Sequence, residues 1–173
     1  ILNNKKNVQK KFHFYKIDIN KNFGKLKSII KEHKPEVIID FLGQGMVAES
    51  WKYPELTFKT NVIGKIKLYL FLKNCSFLKK YIKISTPEVF GSANIKSSNY
   101  NFYNPSTPYA LSHSTIEKDL LLLFNQFSFP VIISRFANFY WPHQRLYRLI
   151  PLAIHKASKK EKFLLHGGGT SRR

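Results

Sequence analysis

Apolar residues follow two different periods along this chain, and the two periods alternate. Three short segments rich in apolar residues have the length and composition of strands: residues 37–42, 81–85 and 131–134. Three longer stretches repeat apolar residues every three or four positions, as one face of a helix does: residues 24–33, 54–74 and 109–127. Strands that alternate with helices form βαβ units with right-handed crossovers. The pattern predicts an α/β fold with a doubly wound parallel sheet, in which residues 37–42 form a strand buried on both faces.

Weaker signals extend the pattern towards both ends. Residues 12–17 predict a short strand, residues 146–158 one more helix, and residues 163–165 a last short strand. The regular alternation of strands and helices becomes weaker beyond Pro142, shortly before the predicted helix at residues 146–158. We therefore expect a main domain at residues 1–141 and the beginning of a smaller lobe at residues 142–173.

Polar or Gly-rich segments follow the predicted strands. In open parallel sheets, ligands bind outside the carboxyl ends of the strands. The segments at those ends are Asp18, Gly43-Gln44-Gly45, Ser85 to Glu88 and Arg135 to Tyr140. Their placement predicts a crevice of the kind that binds nucleotides.

The chain is strongly basic, since 29 Lys and Arg residues against 10 Asp and Glu residues give its 173 residues a net charge of +19. The lysines are scattered over predicted surfaces and accompany abundant Asn, Ile, Phe and Tyr, the bias that an AT-rich genome imposes. We therefore do not expect a nucleic-acid partner. A field of this sign still favours an anionic, phosphate-bearing ligand.

Other residue types argue against several classes of protein. The lone Cys75 excludes an internal disulfide and a cysteine metal cluster. The six histidines are dispersed, and none is paired at metal-ligand spacing beside a carboxylate, so we expect no metal. No apolar run approaches the ~20 residues that span a membrane, and no signal-peptide pattern opens the chain. We expect a cytoplasmic protein without a membrane partner.

Two segments carry side chains suited to acid/base chemistry. Ser85 and Thr86 end a strand, where their hydroxyls can hydrogen-bond a reacting sugar oxygen, and Glu88 can take or give a proton. Tyr109 follows the turn at residues 104–108 and opens a long helix. Taken singly, each segment also fits a plainer role, as a Ser/Thr turn with a solvated Glu or as a tyrosine that only packs.

In this order and on these elements, the segments resemble the extended short-chain dehydrogenase/reductase family, and within it the nucleotide-sugar 4,6-dehydratases. The likeness covers roughly residues 12–173. Its motifs are residues 34–41 (KPEVIIDF), 60–64 (TNVIG), 84–91 (ISTPEVFG), 104–112 (NPSTPYALS), 135–142 (RFANFYWP) and 166–173 (HGGGTSRR). The resemblance implies a Rossmann-like NAD-binding fold, lyase activity on a nucleotide-linked hexose such as dTDP-glucose, and a homodimer of the full-length protein.

The resemblance also implies a role for individual residues. Tyr109, assisted by Thr86, would take the sugar O4 proton while the C4 hydride passes to NAD. Glu88 would handle the C5 proton as water is lost across C5 and C6, and the hydride would return to C6. The cofactor would be contacted by Asp18, Ile19, Leu42, Gly43, Thr60, Tyr109 and His113. The sugar nucleotide would be held by Thr86, Asn138 and Arg173.

Three departures from the family pattern bear on activity. Pro87 stands where the family has Asp, and Pro cannot donate a proton to the leaving hydroxyl. His113 stands where the family has the Lys four residues after the catalytic Tyr. A lysine lowers the pKa of that Tyr with a permanent charge, whereas imidazole is mostly neutral at pH 7, although it could donate a hydrogen bond to the ribose. The Gly-rich phosphate loop GxGxxG follows none of the strands.

The chain begins at Ile1 and stops at Arg173 just after a Gly-rich turn, so we expect truncation at both ends. The first βα unit of the NAD-binding domain and most of the substrate lobe would then lie outside it. Two alternatives stay open. One is a non-catalytic member that binds a nucleotide or a protein partner, and the other is an NAD-dependent sugar-nucleotide epimerase or reductase.

Overall fold

The computed structural model describes residues 12–91, 102–136 and 140–165. Its elements in chain order are α1 (Phe23–His33), β1 (Val37–Asp40), α2 (Val47–Lys52), α3 (Pro54–Phe58), a π-helical segment (Lys59–Gly64), α4 (Lys65–Leu72), β2 (Lys80–Ser85), a 3₁₀ turn (Pro87–Phe90), α5 (Pro108–Phe127), β3 (Val131–Arg135) and α6 (Leu149–Ser158). Among the helices described, none combines the length and apolar character needed to cross a bilayer.

The three strands form one parallel sheet in the order β1-β2-β3. Ile39 lies opposite Ile82, which lies opposite Ile132, so one residue from each strand forms a row across the sheet. Each crossover between neighbouring strands carries helix, as parallel pairing requires. The α/β fold predicted from the alternating periods is confirmed.

The described helices cover one face of this sheet. Tyr81 of β2 packs there against a single apolar core to which α1, α4 and α5 each contribute. The other face is open in the described part of the chain, where Val37 is 47% exposed and Ile39 is 54% exposed. The expectation that residues 37–42 form a strand buried on both faces is therefore wrong for these residues, since only one side of β1 is covered.

Two predicted strands are absent. Residues 12–17 and 163–165 are described, and neither segment pairs with the sheet. Apolar composition alone does not make a strand, because the backbone N–H and C=O groups need a neighbouring strand as partner. Phe14 and Leu164 are exposed, so burial does not hold these segments in place either.

The helix boundaries follow local chemistry. Lys34 ends α1 in the left-handed conformation (φ 43°), directly before Pro35, which cannot continue a helix. Thr107 caps α5 by accepting a hydrogen bond from the Ala110 amide at 3.1 Å, and Pro108 occupies the first helical position. The sequence did not predict α2, whose six residues are too few for a period to show.

Charged groups lie on the covered face of the sheet, beneath the helices. Asp40 of β1 and Lys65 of α4 form an ion pair at 2.7 Å, with each side chain only 1% exposed. The Tyr81 hydroxyl and the Leu42 amide also donate to Asp40, at 2.7 and 2.9 Å. These bonds supply the partners without which a buried carboxylate would be strongly destabilising.

Lys83 of β2 projects to the same face and is also buried. Burial first, and then the charge of Lys65, lower its pKa to about 7 against the opposing effect of Asp40. A lysine is therefore held in the interior in a form that loses its proton near neutral pH.

The Asp40–Lys65 pair gives a first prediction. Asp40→Ala leaves Lys65 buried without its partner, so the free energy of unfolding should fall by roughly 3–5 kcal/mol. Glu36→Ala is the matched control, because Glu36 pairs with Lys79 at 2.6 Å on the exposed surface, where a pair contributes less than about 1 kcal/mol. Chemical denaturation measures both. Equal losses in the two variants would contradict a dominant role for the buried pair.

Lys83 gives a second prediction, on pH. Its pKa is lowered in the folded state, so between about pH 7 and the ordinary lysine value near 10.5 the unfolded chain binds more protons, and stability rises with pH. Lys83→Met removes this contribution. The variant should exceed the wild type in stability most at pH 7 and below, and the difference should shrink towards pH 10. Denaturant midpoints across this range measure it, and a pH-independent difference would refute the assignment.

Candidate functional site

The carboxyl ends of the three strands open into one cavity of about 620 Å³. The loop after β1 contributes Leu42 to Val47, the end of β2 contributes Ser85, Thr86 and Glu88, and α5 contributes Tyr109 and His113. Phe136 follows β3, and residues 147–150 add a further wall. The crevice predicted at this edge of the sheet is present, and its volume is typical of small-molecule sites.

A single 3₁₀ turn positions Thr86 and Glu88. Thr86 caps the turn by accepting a hydrogen bond from the Glu88 amide at 3.2 Å, and Pro87 fixes its first residue. Gly91 ends the turn with φ 71°, and a Cβ at that position would stand 2.3 Å from the Asn104 carbonyl oxygen, so only glycine fits. The turn leaves the Thr86 hydroxyl proton available to another acceptor, and it places Glu88 on the cavity wall.

Tyr109 and His113 lie one turn apart on the first part of α5. Their ring centroids are 4.6 Å apart, with an interplanar angle of 59°. The Ser50 hydroxyl accepts a hydrogen bond from the Tyr109 amide at 3.1 Å, which ties the beginning of α5 to α2. The spacing of four residues therefore brings both rings to the same cavity.

His113 is neutral at physiological pH. Burial first, and then the charges of Lys83 and Lys65, lower its pKa to about 2. A lysine in this place would present a positive charge to Tyr109, whereas this histidine presents none. The surroundings of the ring thus increase the difference in charge between this histidine and the lysine that it replaces in the family pattern.

A chain of polar groups extends from His113 through the interior. His113 Nδ1 lies 3.4 Å from the Ser85 hydroxyl, and that hydroxyl donates to Glu117. Glu117 also pairs with Arg135, whose Nε donates to Oε2 at 3.0 Å, and accepts from the Tyr103 hydroxyl at 2.8 Å. Burial and the Glu117 charge raise the pKa of Tyr103 to about 12, so this hydroxyl remains a donor.

The sequence interpretation missed this chain of polar groups. Glu117 follows His113 by four residues, as His113 follows Tyr109, and that repeat was a usable signal for one helix face. Ser85 had been interpreted only as a hydroxyl that could bond a sugar oxygen, and not as a partner of His113 and Glu117.

Asn61 is a second residue that sequence reasoning missed as part of the site. It is buried in the π-helical segment and binds the backbone of Gln44 through both ends of its side-chain amide. Its Oδ1 accepts from the Gln44 N–H at 2.6 Å, and its Nδ2 donates to the Gln44 carbonyl at 3.2 Å. Its Nδ2 also donates to the Ser112 hydroxyl at 3.0 Å. Gly43 lies close beside it, and a Cβ there would stand 3.2 Å from Asn61 Oδ1, so a larger residue would press on this amide.

The residues predicted to contact a cofactor fall into two groups. Leu42, Gly43, Tyr109 and His113 line the cavity. Asp18, Ile19 and Thr60 do not. Asp18 accepts a hydrogen bond from the Asn20 amide, and Asn20 Nδ2 donates to Thr60 at 2.9 Å, so these residues share one cluster, while the Ile19 side chain belongs to the core.

The residues predicted to hold the sugar nucleotide are represented in part. Thr86 lines the cavity, while Asn138 and Arg173 lie outside the described residues. Among the lining residues that are described, Arg148 carries a guanidinium, which lies 5.3 Å from the Tyr147 ring centroid. The sequence interpretation did not single out Arg148, which stands in a stretch without a recognisable motif.

Comparison with known sequences identifies the family of this chain. The sequence pattern of the NAD dependent epimerase/dehydratase family matches residues 2–173. The dTDP-D-glucose 4,6-dehydratase of Dictyostelium discoideum is 31% identical over 174 residues, which cover 94% of this chain and 40% of that protein. The Homo sapiens dTDP-D-glucose 4,6-dehydratase is 30% identical over 150 residues, covering 86% and 42%. The chain therefore spans about two fifths of the length of these curated relatives.

Solved structures agree with the fold. The dTDP-glucose 4,6-dehydratase of Bacillus anthracis, solved in complex with NAD, superposes with a TM-score of 0.77 at 31% identity, over 98% of this chain and 52% of that one. The UDP-glucuronic acid 4-epimerase of Bacillus cereus gives 0.81 at 24% identity over 95% and 52%, which supports the fold alone. The family pattern covers almost the whole chain, and this chain belongs to the NAD dependent epimerase/dehydratase family, with its Rossmann-like parallel sheet.

Proposed function

We propose that this chain forms part of an NAD-dependent nucleotide-sugar 4,6-dehydratase that acts on a dTDP-glucose-like substrate. The observation that carries the proposal is the meeting of Thr86, Glu88 and Tyr109 on one cavity. A phenol and a carboxylate on one cavity give two proton-transfer groups, as an oxidation coupled to an elimination needs. Relatives at 30–31% identity that are dTDP-D-glucose 4,6-dehydratases support the same reaction.

The described residues fit a nucleotide cofactor at this edge of the sheet. Gly43 has no side chain to keep a ligand away from the backbone, and Asn61 holds the neighbouring loop in place. Leu42 and Gly43 with Tyr109 and His113 would hold NAD within the cavity. Asp18, Ile19 and Thr60 stay predicted contacts of its adenosine end. When bound, NAD would accept a hydride from sugar C4 and return it at C6.

Tyr109 would take the proton from the sugar O4 hydroxyl. Thr86 accepts from the Glu88 amide and keeps its own hydroxyl proton, which it would donate to the same sugar oxygen and so orient it. His113 is neutral and therefore presents no positive charge to Tyr109, so we expect slow turnover.

Glu88 would take the C5 proton, and the C5–C6 double bond would form as the C6–O6 bond breaks. The leaving hydroxide needs a proton to depart as water. Pro87 has none to give, so Glu88 would return to O6 the proton that it took from C5. One carboxylate thus serves as base and then as acid in the loss of water. As the hydride returns to C6, C5 regains a proton equivalent to the one that Tyr109 took from O4, so the atoms balance as the loss of one water.

Substrate binding would draw on the basic character of the chain. Asn138 and Arg173 stay predicted contacts of the sugar nucleotide, and Arg148 adds a guanidinium at the cavity wall. A planar guanidinium suits the oxygens of a diphosphate.

A non-catalytic role is the second candidate, and one observation favours it. His113 cannot lower the pKa of Tyr109 by charge, because burial and two neighbouring lysines keep the imidazole neutral. Such a protein would bind a nucleotide and release no product. An epimerase is less well supported, since Glu88 has no task in moving a hydride at C4 alone.

The helix surfaces support a homodimer. Leu56, Ile63 and Leu70 are exposed at intervals of seven residues along α3, the π-helical segment and α4. Leu111 and Leu122 are exposed on α5, which packs beside them. An apolar stripe of this kind is typical of an interface between helices, so we propose that two copies of the full-length protein pair through it.

The activity can be tested directly. The full-length protein, given NAD and dTDP-glucose, should form a 4-keto-6-deoxy product 18 mass units lighter by loss of one water (~18 Da), seen by mass spectrometry. Glu88→Gln should slow the dehydration by about 10²-fold or more, because the group that moves the C5 proton is gone. Glu55→Gln is the matched control on an exposed helix and should leave the rate unchanged. NAD binding without product would favour the non-catalytic role, and a C4 epimer would favour an epimerase.

The dimer has its own test. Ile63→Asp places a charge in the centre of the apolar stripe, so the full-length protein should shift from dimer to monomer in light scattering after size exclusion. Leu164→Asp changes an equally apolar and more exposed residue outside the stripe, and it should leave the mass unchanged. A dimer that survives Ile63→Asp would show that the interface lies elsewhere.

A further inference from the structure

The two ring nitrogens of His113 have different roles. A neutral imidazole carries one N–H donor and one bare acceptor nitrogen, and the neighbours decide which is which. His113 is 7% exposed, and its Nδ1 lies 3.4 Å from the Ser85 hydroxyl oxygen. The direction of that contact therefore fixes the tautomer.

Ser85 has a single hydroxyl proton, and Glu117 takes it. The hydroxyl donates to Glu117 Oε1, and a carboxylate can only accept. Glu117 is fully buried and is held as a carboxylate by Arg135, whose Nε lies 3.0 Å from Oε2, and by the Tyr103 hydroxyl at 2.8 Å. With its proton committed, the Ser85 oxygen can only accept from His113.

We propose that Ser85 and Glu117 hold His113 in the Nδ1–H tautomer, so that Nε2 presents a lone pair and accepts a hydrogen bond from a hydroxyl group in the cavity. Ser85 and Glu117 are then positioning residues that act through the imidazole. A lysine in this place can only donate, so the substitution reverses the direction of the hydrogen bond. The ribose would not receive a proton from His113 but would give one to it.

The charges around the ring keep this arrangement as pH falls. Lys83 from β2 and Lys65 from α4 oppose protonation of the imidazole, and Lys83 gains its own proton near pH 7, where an ordinary histidine would begin to take one. Glu117 from α5 is the acid nearest in the chain of polar groups, and Arg135 from β3 neutralises it. His113 therefore stays an acceptor over the physiological range.

Two hydroxyl groups could donate to Nε2. One is the Tyr109 phenol, whose ring lies 4.6 Å from that of His113, and the other is a ribose hydroxyl of a bound nucleotide. Either would give the imidazole a part in handling the proton of Tyr109, a role that rests on the proposed function. The tautomer itself does not rest on it, because Ser85 and Glu117, both buried, fix it without a ligand.

The tautomer can be measured in the full-length protein labelled with ¹⁵N-histidine. Two-bond ¹H–¹⁵N correlation spectra distinguish protonated from bare ring nitrogens, and the spectrum of His113→Gln assigns the signal. We expect Nδ1 to be protonated and Nε2 bare, with no titration from about pH 8 to about pH 5. A protonated Nε2, or a titration near the ordinary value of about 6.5, would overturn the proposal.

Variants separate positioning from packing. Ser85→Ala removes the acceptor of the Nδ1 proton, so a population of the Nε2–H tautomer should appear, whereas Ser85→Thr keeps the hydroxyl and should restore the wild-type signal. Glu117→Gln allows the Ser85 hydroxyl to turn towards His113, and should also release the tautomer in protein that remains folded. An unchanged Nδ1–H signal in Ser85→Ala would overturn the role of Ser85.

Two further experiments identify the hydroxyl group that donates to His113 Nε2. A shift of the Nε2 signal in Tyr109→Phe assigns the hydrogen bond to the phenol, and a shift on addition of NAD to the wild type assigns it to the ribose. Either shift supports the acceptor role, and the absence of both overturns it. All of these measurements are made without substrate, so a protein that forms no product still tests the tautomer independently of the dehydratase proposal.

Discussion

The ion pair between Asp40 and Lys65 is the interaction on which the covered face of the sheet depends. It places two charges between strands and helices, where an apolar pair would serve the core as well or better. Both partners are therefore tied to their positions, since neither can be left buried alone. The Tyr81 hydroxyl that also binds Asp40 extends the same constraint to the central strand.

This buried charge governs the chemistry at the edge of the sheet. Burial first, and then Lys65, lower the pKa of Lys83, and burial together with the two lysines keeps His113 neutral. Buried residues that do not line the cavity thus help to determine the charge of His113 on its wall. His113 stands where the sequence comparison with the family expects a lysine, and two lysines buried in the adjoining core lower the pKa of its imidazole.

The sequence predicted the parallel sheet, the long helix at Tyr109 and the cavity at the strand ends, because each rests on a local period or motif. It failed at residues 12–17 and 163–165, where strand formation depends on a neighbour and not on composition. It also failed to connect Ser85, His113 and Glu117, since the contact between β2 and α5 joins residues 28 and 32 positions apart. The ion pair between Asp40 and Lys65 could not be predicted for the same reason, because a single charged residue in an apolar run gives no indication of its partner.

The π-helical segment at Lys59–Gly64 sets the rotational phase of α4 relative to α3. An α-helix advances about 100° per residue, so a single deletion that returned the segment to α-helical geometry would turn α4 by roughly that angle. Lys65 would leave Asp40, and Asn61 would leave the Gln44 peptide. Both the ion pair and the cavity loop therefore depend on the number of residues in this segment. An insertion or deletion here would be as disruptive as a change of residue type.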